Sequence, residues 1–491
     1  MEKRVKSIIS QLVYTAFCIL LCATTGVGAV QELLRGFAVK PNPSVSAFQA
    51  LLSDSSGNYS LGLLRVNRTL LDLAVVHVPS SEQVWIARTS SRARWSEPTR
   101  IFFNGSLVVS DPHTGVFWST STEGDRVWLS NTSNLQIQKL DETQSVESVV
   151  WQSFSFPYDT LVENQNFTST MSLVSSNGLY SMRLGSNFIG LYAKFNPGSD
   201  SDQMYWKHKA LEAKANINEG QGPVYLILSA GGFLGMYQNG SNIPVDVQSF
   251  SSFQQRGSGI RRVLVEPDGN LKGYYWTGSS WVLDYKPISE PCELPSPCGS
   301  YGLCNPGKGC SCLDNGTDYT SSGCHLPGEK ISGDFCGSSE SKYRILRREG
   351  VELPFKELMG YSKMESLAQC EEACEENCTC WGAVYSNSSG FCYTLSYPIQ
   401  TLRSVADETK VGYFKVREGA RRKVEAGLGV GIGLLCGAVL IFGLAIGFGL
   451  YRLRKRKSGV KGYVEEEDGV IAGPYKNLGT SSFKSIELCE R

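Results

Sequence analysis

Cysteine is absent between Cys22 and Cys292, and histidine occurs only four times in 491 residues. His77, His113, His208 and His325 sit in unrelated sequence contexts, which leaves little material for a metal centre or a proton-relay catalyst. No Gly-x-Ser-x-Gly string is present, which removes the usual elbow of a serine nucleophile. Excess charge is missing too: 47 basic residues balance 47 acidic ones, so there is no electrostatic footprint for nucleic acid. Helical periodicity is nearly absent from Val30 to Asp284, which argues against a helical first half.

Charged residues are wholly missing from one long stretch, Ala426 to Tyr451. As a helix it would reach ~39 Å, enough to cross a hydrocarbon core of ~30 Å with some tilt. Arg452, Arg454, Lys455, Arg456 and Lys457 follow at once, as expected on a cytoplasmic flank. At the other end, Lys3, Arg4 and Lys6 precede an apolar run that closes on Gly26-Val-Gly-Ala29. That is the pattern of a secretory signal peptide over 1–29. The chain therefore reads as a single-pass type I protein of the plasma membrane, with a cytoplasmic tail over 452–491.

Twelve of the 16 cysteines lie between Cys292 and Cys392, an even and clustered set on the exported side. They read as disulfides; Cys310-x-Cys312 and Cys378-x-Cys380 have no histidine near enough for a zinc site. Nine Asn-x-Ser/Thr sequons begin at Asn58, Asn67, Asn104, Asn131, Asn166, Asn239, Asn315, Asn377 and Asn387, all on the exported side. From Val30 to Asp284, short runs rich in Val, Leu, Phe and Trp alternate with Gly, Asn and Asp turns. Many short strands of this kind predict a mainly β fold, in two domains at this length.

Val84-Trp-Ile-Ala87, Asn104-Gly-Ser-Leu-Val-Val-Ser-Asp111, Val116-Phe-Trp-Ser-Thr, Asn134-Leu-Gln-Ile and above all Trp151-Gln-Ser-Phe-Ser-Phe-Pro-Tyr-Asp-Thr-Leu161 carry a family resemblance. Residues 30–165 resemble the bulb-type lectin domain of plant S-domain proteins. Residues 166–290, with Asp268-Gly-Asn-Leu and Trp276…Trp281, are similar to the S-locus glycoprotein region. Cys292, Cys298, Cys304, Cys310, Cys312 and Cys324, within 291–335, resemble an EGF-like module whose connectivity stays open. Ser289-Glu-Pro lacks the acidic pair of the calcium-binding variant, so no calcium is expected. A module this small relies on disulfides in place of a core.

Cys336, Cys370, Cys374, Cys378, Cys380 and Cys392, within 336–417, look like a PAN/apple domain. Ser362 and Glu365 form a capping box that starts a helix through Leu367, Cys370 and Cys374. Strands are expected at Trp381–Tyr385, Phe391–Tyr393 and Tyr413–Val416. By resemblance, Cys370 pairs with Cys392 and Cys374 with Cys380, leaving Cys336 with Cys378.

In the bulb-type lectins, sugar binding uses a Gln-x-Asp-x-Asn-x-Val-x-Tyr strand. Phe102, Asn104, Ser106, Val108 and Ser110 stand at those places and keep only the Val. Ser130, Thr132, Asn134, Gln136 and Gln138 keep only the Asn. Glu266, Asp268, Asn270, Lys272 and Tyr274 retain three, so Asp268, Asn270 and Tyr274 are the candidate sugar remnant. The preferred reading of that segment is a Gly-Asn turn with Tyr274 in the core.

Relatives with this ectodomain usually end in a kinase. Residues 452–491 hold no Gly-rich loop, His-Arg-Asp or Asp-Phe-Gly. The expectation is a kinase-less receptor-like glycoprotein, not an enzyme and without cofactors. It would bind an extracellular ligand or partner receptor and signal through a receptor kinase; the alternative is a carbohydrate-binding membrane lectin without signalling. Glycines at four-residue spacing, such as Gly443 and Gly447, allow close helix approach and a homo- or hetero-dimer.

Overall fold

The computed structural model describes residues 30–89, 91–195, 202–210, 222–238, 241–253, 259–314, 319, 323–324, 335–336, 343–417 and 440–454. The signal peptide, most of the cytoplasmic tail, Asn239 and Asn315 lie outside the described residues.

Alternate side chains that share one face of each strand build the first region. Leu61 and Leu63, Leu71, Leu73 and Val75, Ile101 and Phe103, Leu107 and Val109, Val127 and Leu129, and Leu135 and Ile137 all point inward and are buried. They belong to three antiparallel sheets. One holds Glu32–Leu34, Arg126–Leu129, Leu135–Leu140 and Val146–Gln152. A second holds Ala38–Val39, Arg100–Phe103, Leu107–Asp111 and Gly115–Ser119. The third holds Phe48–Ser53, Tyr59–Arg65, Leu70–His77 and Glu82–Ile86, with Ala93–Arg94 at its side. Each sheet sends one tryptophan to a common point: Trp151, Trp118 and Trp85 meet edge to face, every pair of ring centroids 5.9 Å apart. That is the favoured geometry for aromatic quadrupoles.

The second region repeats the plan with three antiparallel four-stranded sheets. One comprises Thr160–Val162, Arg261–Val265, Leu271–Trp276 and Trp281–Tyr285; another Asn166–Phe167, Tyr225–Ser229, Phe233–Tyr237 and Asp246–Ser249. The last comprises Leu173–Val174, Tyr180–Leu184, Phe188–Ala193 and Gln203–Lys209. Thr160–Val162 thus pairs with Arg262–Leu264 across the sequence division at 165.

The cysteine-rich segments are not beads on a string. Disulfides join Cys292 to Cys304, Cys298 to Cys310 and Cys312 to Cys324 around the hairpin Gly302–Asn305 and Gly309–Cys312. This hairpin pairs in parallel with Leu402–Ser404, Leu303 opposite Leu402, and Leu402–Ser404 pairs in turn with Val351–Glu352. Tyr301 donates its hydroxyl to the Lys415 carbonyl at 2.9 Å. Phe195 of the second β region stacks on Tyr397 at 4.4 Å, so one apolar core runs through both.

A five-stranded sheet closes this end, ordered Tyr343–Glu349, Lys410–Arg417, Gly382–Ser386, Phe391–Leu395 and Ser362–Lys363. The helix Leu367–Glu376 lies against it, held by Cys370–Cys392 and Cys374–Cys380, while Cys336 bonds to Cys378. The expected capping box at Ser362 and Glu365 is corrected. Ser362 is drawn into the sheet opposite Cys392, and the cap is Ser366, whose side chain accepts from the Gln369 amide. Gln369 reaches back to accept from the Glu365 amide at 3.0 Å. At the far end, buried Lys415 donates to the carbonyls of Cys374 and Asn377 at 2.9 and 3.1 Å, placing a cation on the negative end of the helix. On the opposite face of the same strand Gly412 is required, since a Cβ there would lie 2.3 Å from the Phe414 ring and 2.7 Å from Val351.

Residues 440–454 form a separate helix that takes in the later part of the uncharged stretch and its basic flank through Arg454; residues 426–439 lie outside the described residues. Among the described residues no helix is long and apolar enough to cross a membrane.

Candidate ligand-binding site

The positions aligned with the lectin sugar strand do not lie on one strand here. Phe102 lies on one strand, Val108 and Ser110 lie on the next, and Asn104 is exposed in the hairpin turn between them, where Gly105 has a φ of +112°. The Asn104 side chain accepts from the Ser106 amide, and Ser106 donates to the Thr122 carbonyl at 2.6 Å. In the second set, Asn134 is buried. It donates to Gln152 at 2.9 Å and accepts from the Ser153 hydroxyl and Phe154 amide, both at 3.3 Å. Gln138 accepts from Arg126 and donates to Gln136, each at 2.7 Å. These polar groups are occupied by the protein itself.

The remnant from Glu266 to Tyr274 is a hairpin turn. The Gly269 amide donates to the Glu266 carbonyl and Gly269 has a φ of +86°. Asn270, 3% exposed, donates to the Ile288 carbonyl at 2.7 Å and accepts from the Ile288 amide at 3.4 Å. Asp268 accepts from the Asn270 amide and pairs with Lys272, both at 2.8 Å. Asn270 thus pins a loop, with its amide turned to the Ile288 backbone. Tyr274 is not in the core as expected: it is half-buried, donates to Glu266 at 2.7 Å, and forms part of a cavity wall.

That cavity, of about 590 Å³, opens between the two β regions. Ser81, Glu82 and Gln83 come from the first; Asp159, Thr160, Arg262, Glu266, Tyr274 and Trp281 lie on or beside one sheet of the second. Arg262 spans the junction, bonded to Glu82 while its guanidinium lies 4.1 Å above the Trp281 ring. Behind Trp281, buried His77 packs edge-on at 5.4 Å, with Trp276 at 5.1 Å and Tyr59 at 5.6 Å. Burial, with Arg262 adding to it, holds the His77 imidazole below its ordinary value against the weaker pull of Glu82. Of these residues sequence reading singled out only Glu266 and Tyr274. Asp159 and Trp281 do stand in strings quoted for the family resemblance, but nothing local brings Glu82 to Arg262.

The sequons of the described residues are placed for modification: Asn67, Asn104, Asn131, Asn166, Asn377 and Asn387 are exposed and Asn58 is half-buried. At Asn67 and Asn377 the Thr hydroxyl of the sequon donates to the Asn side-chain carbonyl, at 3.1 and 2.8 Å.

Comparison with known proteins agrees with this architecture. The model of the S-locus glycoprotein domain matches residues 237–316. A PAN domain-containing protein of Arabidopsis thaliana is 50% identical over 466 residues, covering 94% of this chain and 93% of the relative. The G-type lectin S-receptor-like serine/threonine-protein kinase SD2-5 of the same plant is 24% identical over 402 residues, covering 76% of this chain and 45% of its own. EP1-like glycoprotein 4, also from Arabidopsis thaliana, is 22% identical over 419 residues, 79% of this chain and 90% of its own. The chain spans about half the length of the receptor-kinase relatives it matches. With its three-sheet β regions, its disulfide-held helix and a relative that matches it almost end to end, this chain belongs to the plant S-domain receptor-like proteins.

Proposed function

We propose that this protein is a cell-surface receptor-like glycoprotein that binds an extracellular ligand or a partner receptor through its β and PAN regions. In this reading 1–29 is a cleaved signal peptide and 426–451 the membrane anchor. In the same reading, signalling passes through an associated receptor kinase. The observation that carries the choice of receptor over lectin is the state of Asn134 and Asn270. Both are buried and hydrogen-bonded within their own fold, so mannose would have to break existing hydrogen bonds at ~1–3 kcal/mol for each group left unpaired. Two measurements test it together. Full-length protein isolated from plant membranes is expected to co-purify with a receptor kinase, and the same material is expected to be silent on a mannose-containing glycan array. Array binding without any kinase would replace this reading by that of a membrane lectin.

A further inference from the structure

A second cavity, of about 380 Å³, opens where the three tryptophans of the first β region meet. Trp85, Trp118 and Trp151 form an aromatic wall with Phe156, and Thr170 and Met171 of the second region border it. Phe156 is 57% exposed and stacks on Trp151 at 5.7 Å, the two ring planes 8° apart. Its backbone is held on both sides. The Phe156 amide donates to the Ser153 carbonyl at 2.9 Å, and its carbonyl accepts the Trp85 indole N–H at 2.8 Å. The indole N–H groups of Trp118 and Trp151, by contrast, have no hydrogen-bond partner among the described residues. The wall is thus set before any ligand arrives, with donors to spare.

The polar groups decide what that ligand is. No Asp, Glu, Asn, Gln, Lys or His lines the cavity. Its one charged group is Arg88, exposed and without an ion pair among the described residues. The guanidinium lies 5.6 Å from the Tyr158 ring and reaches the Tyr158 carbonyl at a long 3.5 Å, so most of its donors stay open. An organic cation would meet Arg88 with no carboxylate to offset it. A sugar would find none of the Gln, Asp and Asn side chains through which bulb-type lectins hold hydroxyls. A plain hydrocarbon would leave Arg88 and both indole N–H groups unused. The volume falls within the roughly 300–1,000 Å³ usual for small-molecule sites, and the tryptophan and phenylalanine rings favour a further ring placed edge-on or offset. We propose that this cavity binds an aromatic carboxylate, its ring among Trp118, Trp151 and Phe156 and its carboxylate paired with Arg88. A planar anion suits the guanidinium fork, which holds carboxylates through two parallel bonds. The proposal rests on the ligand-binding reading above and names the ligand's class, but its test needs no signalling partner.

Full-length protein in lipid nanodiscs is titrated calorimetrically with indole-3-propionate, with empty nanodiscs as the blank. Tryptamine keeps the ring and reverses the charge, octanoate keeps the charge without a ring, and indole-3-propionamide keeps the ring without the charge. Saturable binding of indole-3-propionate is expected, about tenfold or more tighter than that of the other three. Arg88→Gln should weaken binding of the acid by about tenfold, the size of a lost charge-assisted bond, and leave the amide unchanged. Exposed Arg100→Gln should change neither. Trp118→Leu should weaken acid and amide alike; should it fail to fold, Phe156→Ala decides, since Phe156 is exposed. Any of the three comparison probes binding as tightly as the acid, or acid binding unchanged in either the Arg88 or the Phe156 variant, overturns the proposal. So does failure of the acid to bind, which leaves the kinase co-purification result untouched.

Discussion

Glu352 is a buried carboxylate whose replacement should loosen the seam between the two cysteine-rich modules. Its side chain is 5% exposed and meets three cations: Lys356, Lys410 at 2.7 Å and Arg403 at 2.9 Å. Arg403 extends the chain to Glu293, 3.6 Å away beside Cys292. Burial alone would push the carboxyl up, but hydrogen bonds from Lys356, Lys410 and Arg403 outweigh it and hold Glu352 at about 2 instead of 4.5. A depression of that size contributes ~3 kcal/mol at neutral pH. Because the folded value is the lower one, the contribution is complete above 4.5 and is lost as the pH falls from there towards 2. Glu352→Gln keeps the shape and removes the charge, stranding three cations round a neutral amide. Hydrogen exchange at neutral pH in the strands Val351–Glu352 and Leu402–Ser404 should quicken by about a hundredfold, the equivalent of ~3 kcal/mol. Exchange within about threefold of the parent would refute the reasoning, by showing that desolvation of the four groups already cancels their attraction.

Asn270→Ala should destabilise the second β region by ~1–3 kcal/mol in urea unfolding, through the orphaned Ile288 backbone, and leave mannose binding at nil. A sugar affinity that disappears with this change would restore the segment as a site. Cys370→Ser opens a staple spanning 22 residues, worth ~3 kcal/mol in a loop-entropy model, and leaves Cys392 free to mispair; surface staining of the variant should collapse, and normal levels would count against that role. His77 is buried neutral with its value held below 6.5, so its share of stability is complete above 6.5 and declines as the pH drops below that. Exchange in Leu70–His77 and Trp281–Tyr285 should accelerate on acidification from pH 7 to about 5 and lose that dependence in His77→Phe; a pH-insensitive parent would contradict it.

What was legible in the sequence was local. Short apolar runs between turn residues, such as Leu107-Val-Val109 after Asn104-Gly105, gave strands. Cys370 and Cys374, one helical turn apart, gave the stapled face of the helix. The cap shows where locality fails: Ser362-x-x-Glu365 and Ser366-x-x-Gln369 are equivalent patterns, and only the pairing of Ser362 with Cys392, far along the chain, decides between them. The sugar strand at Phe102–Ser110 fails for a related reason, since positions at alternate spacing were aligned as one strand where Gly105 turns the chain, whereas the turn expected at Asp268-Gly-Asn270 is where Gly269 does turn it. The cavity was illegible because Glu82 and Arg262 lie 180 residues apart and meet only when the two β regions dock.

On the secretory route proposed above, the parallel pairing of Leu303 with Leu402 also sets an order of events. The hairpin at Gly302–Cys312 enters the oxidising lumen about a hundred residues ahead of the strand that completes its sheet, an interval of roughly 5–20 s at ordinary synthesis rates. Through that interval six cysteines can oxidise beside an open strand edge, so correct pairing there depends on the local hairpin alone. Arrival of Leu402–Ser404 then covers the edge and joins the two modules. A chain interrupted before that strand would leave Cys292–Cys324 bonded but unsealed, a form that oxidoreductases and lumenal chaperones can retain.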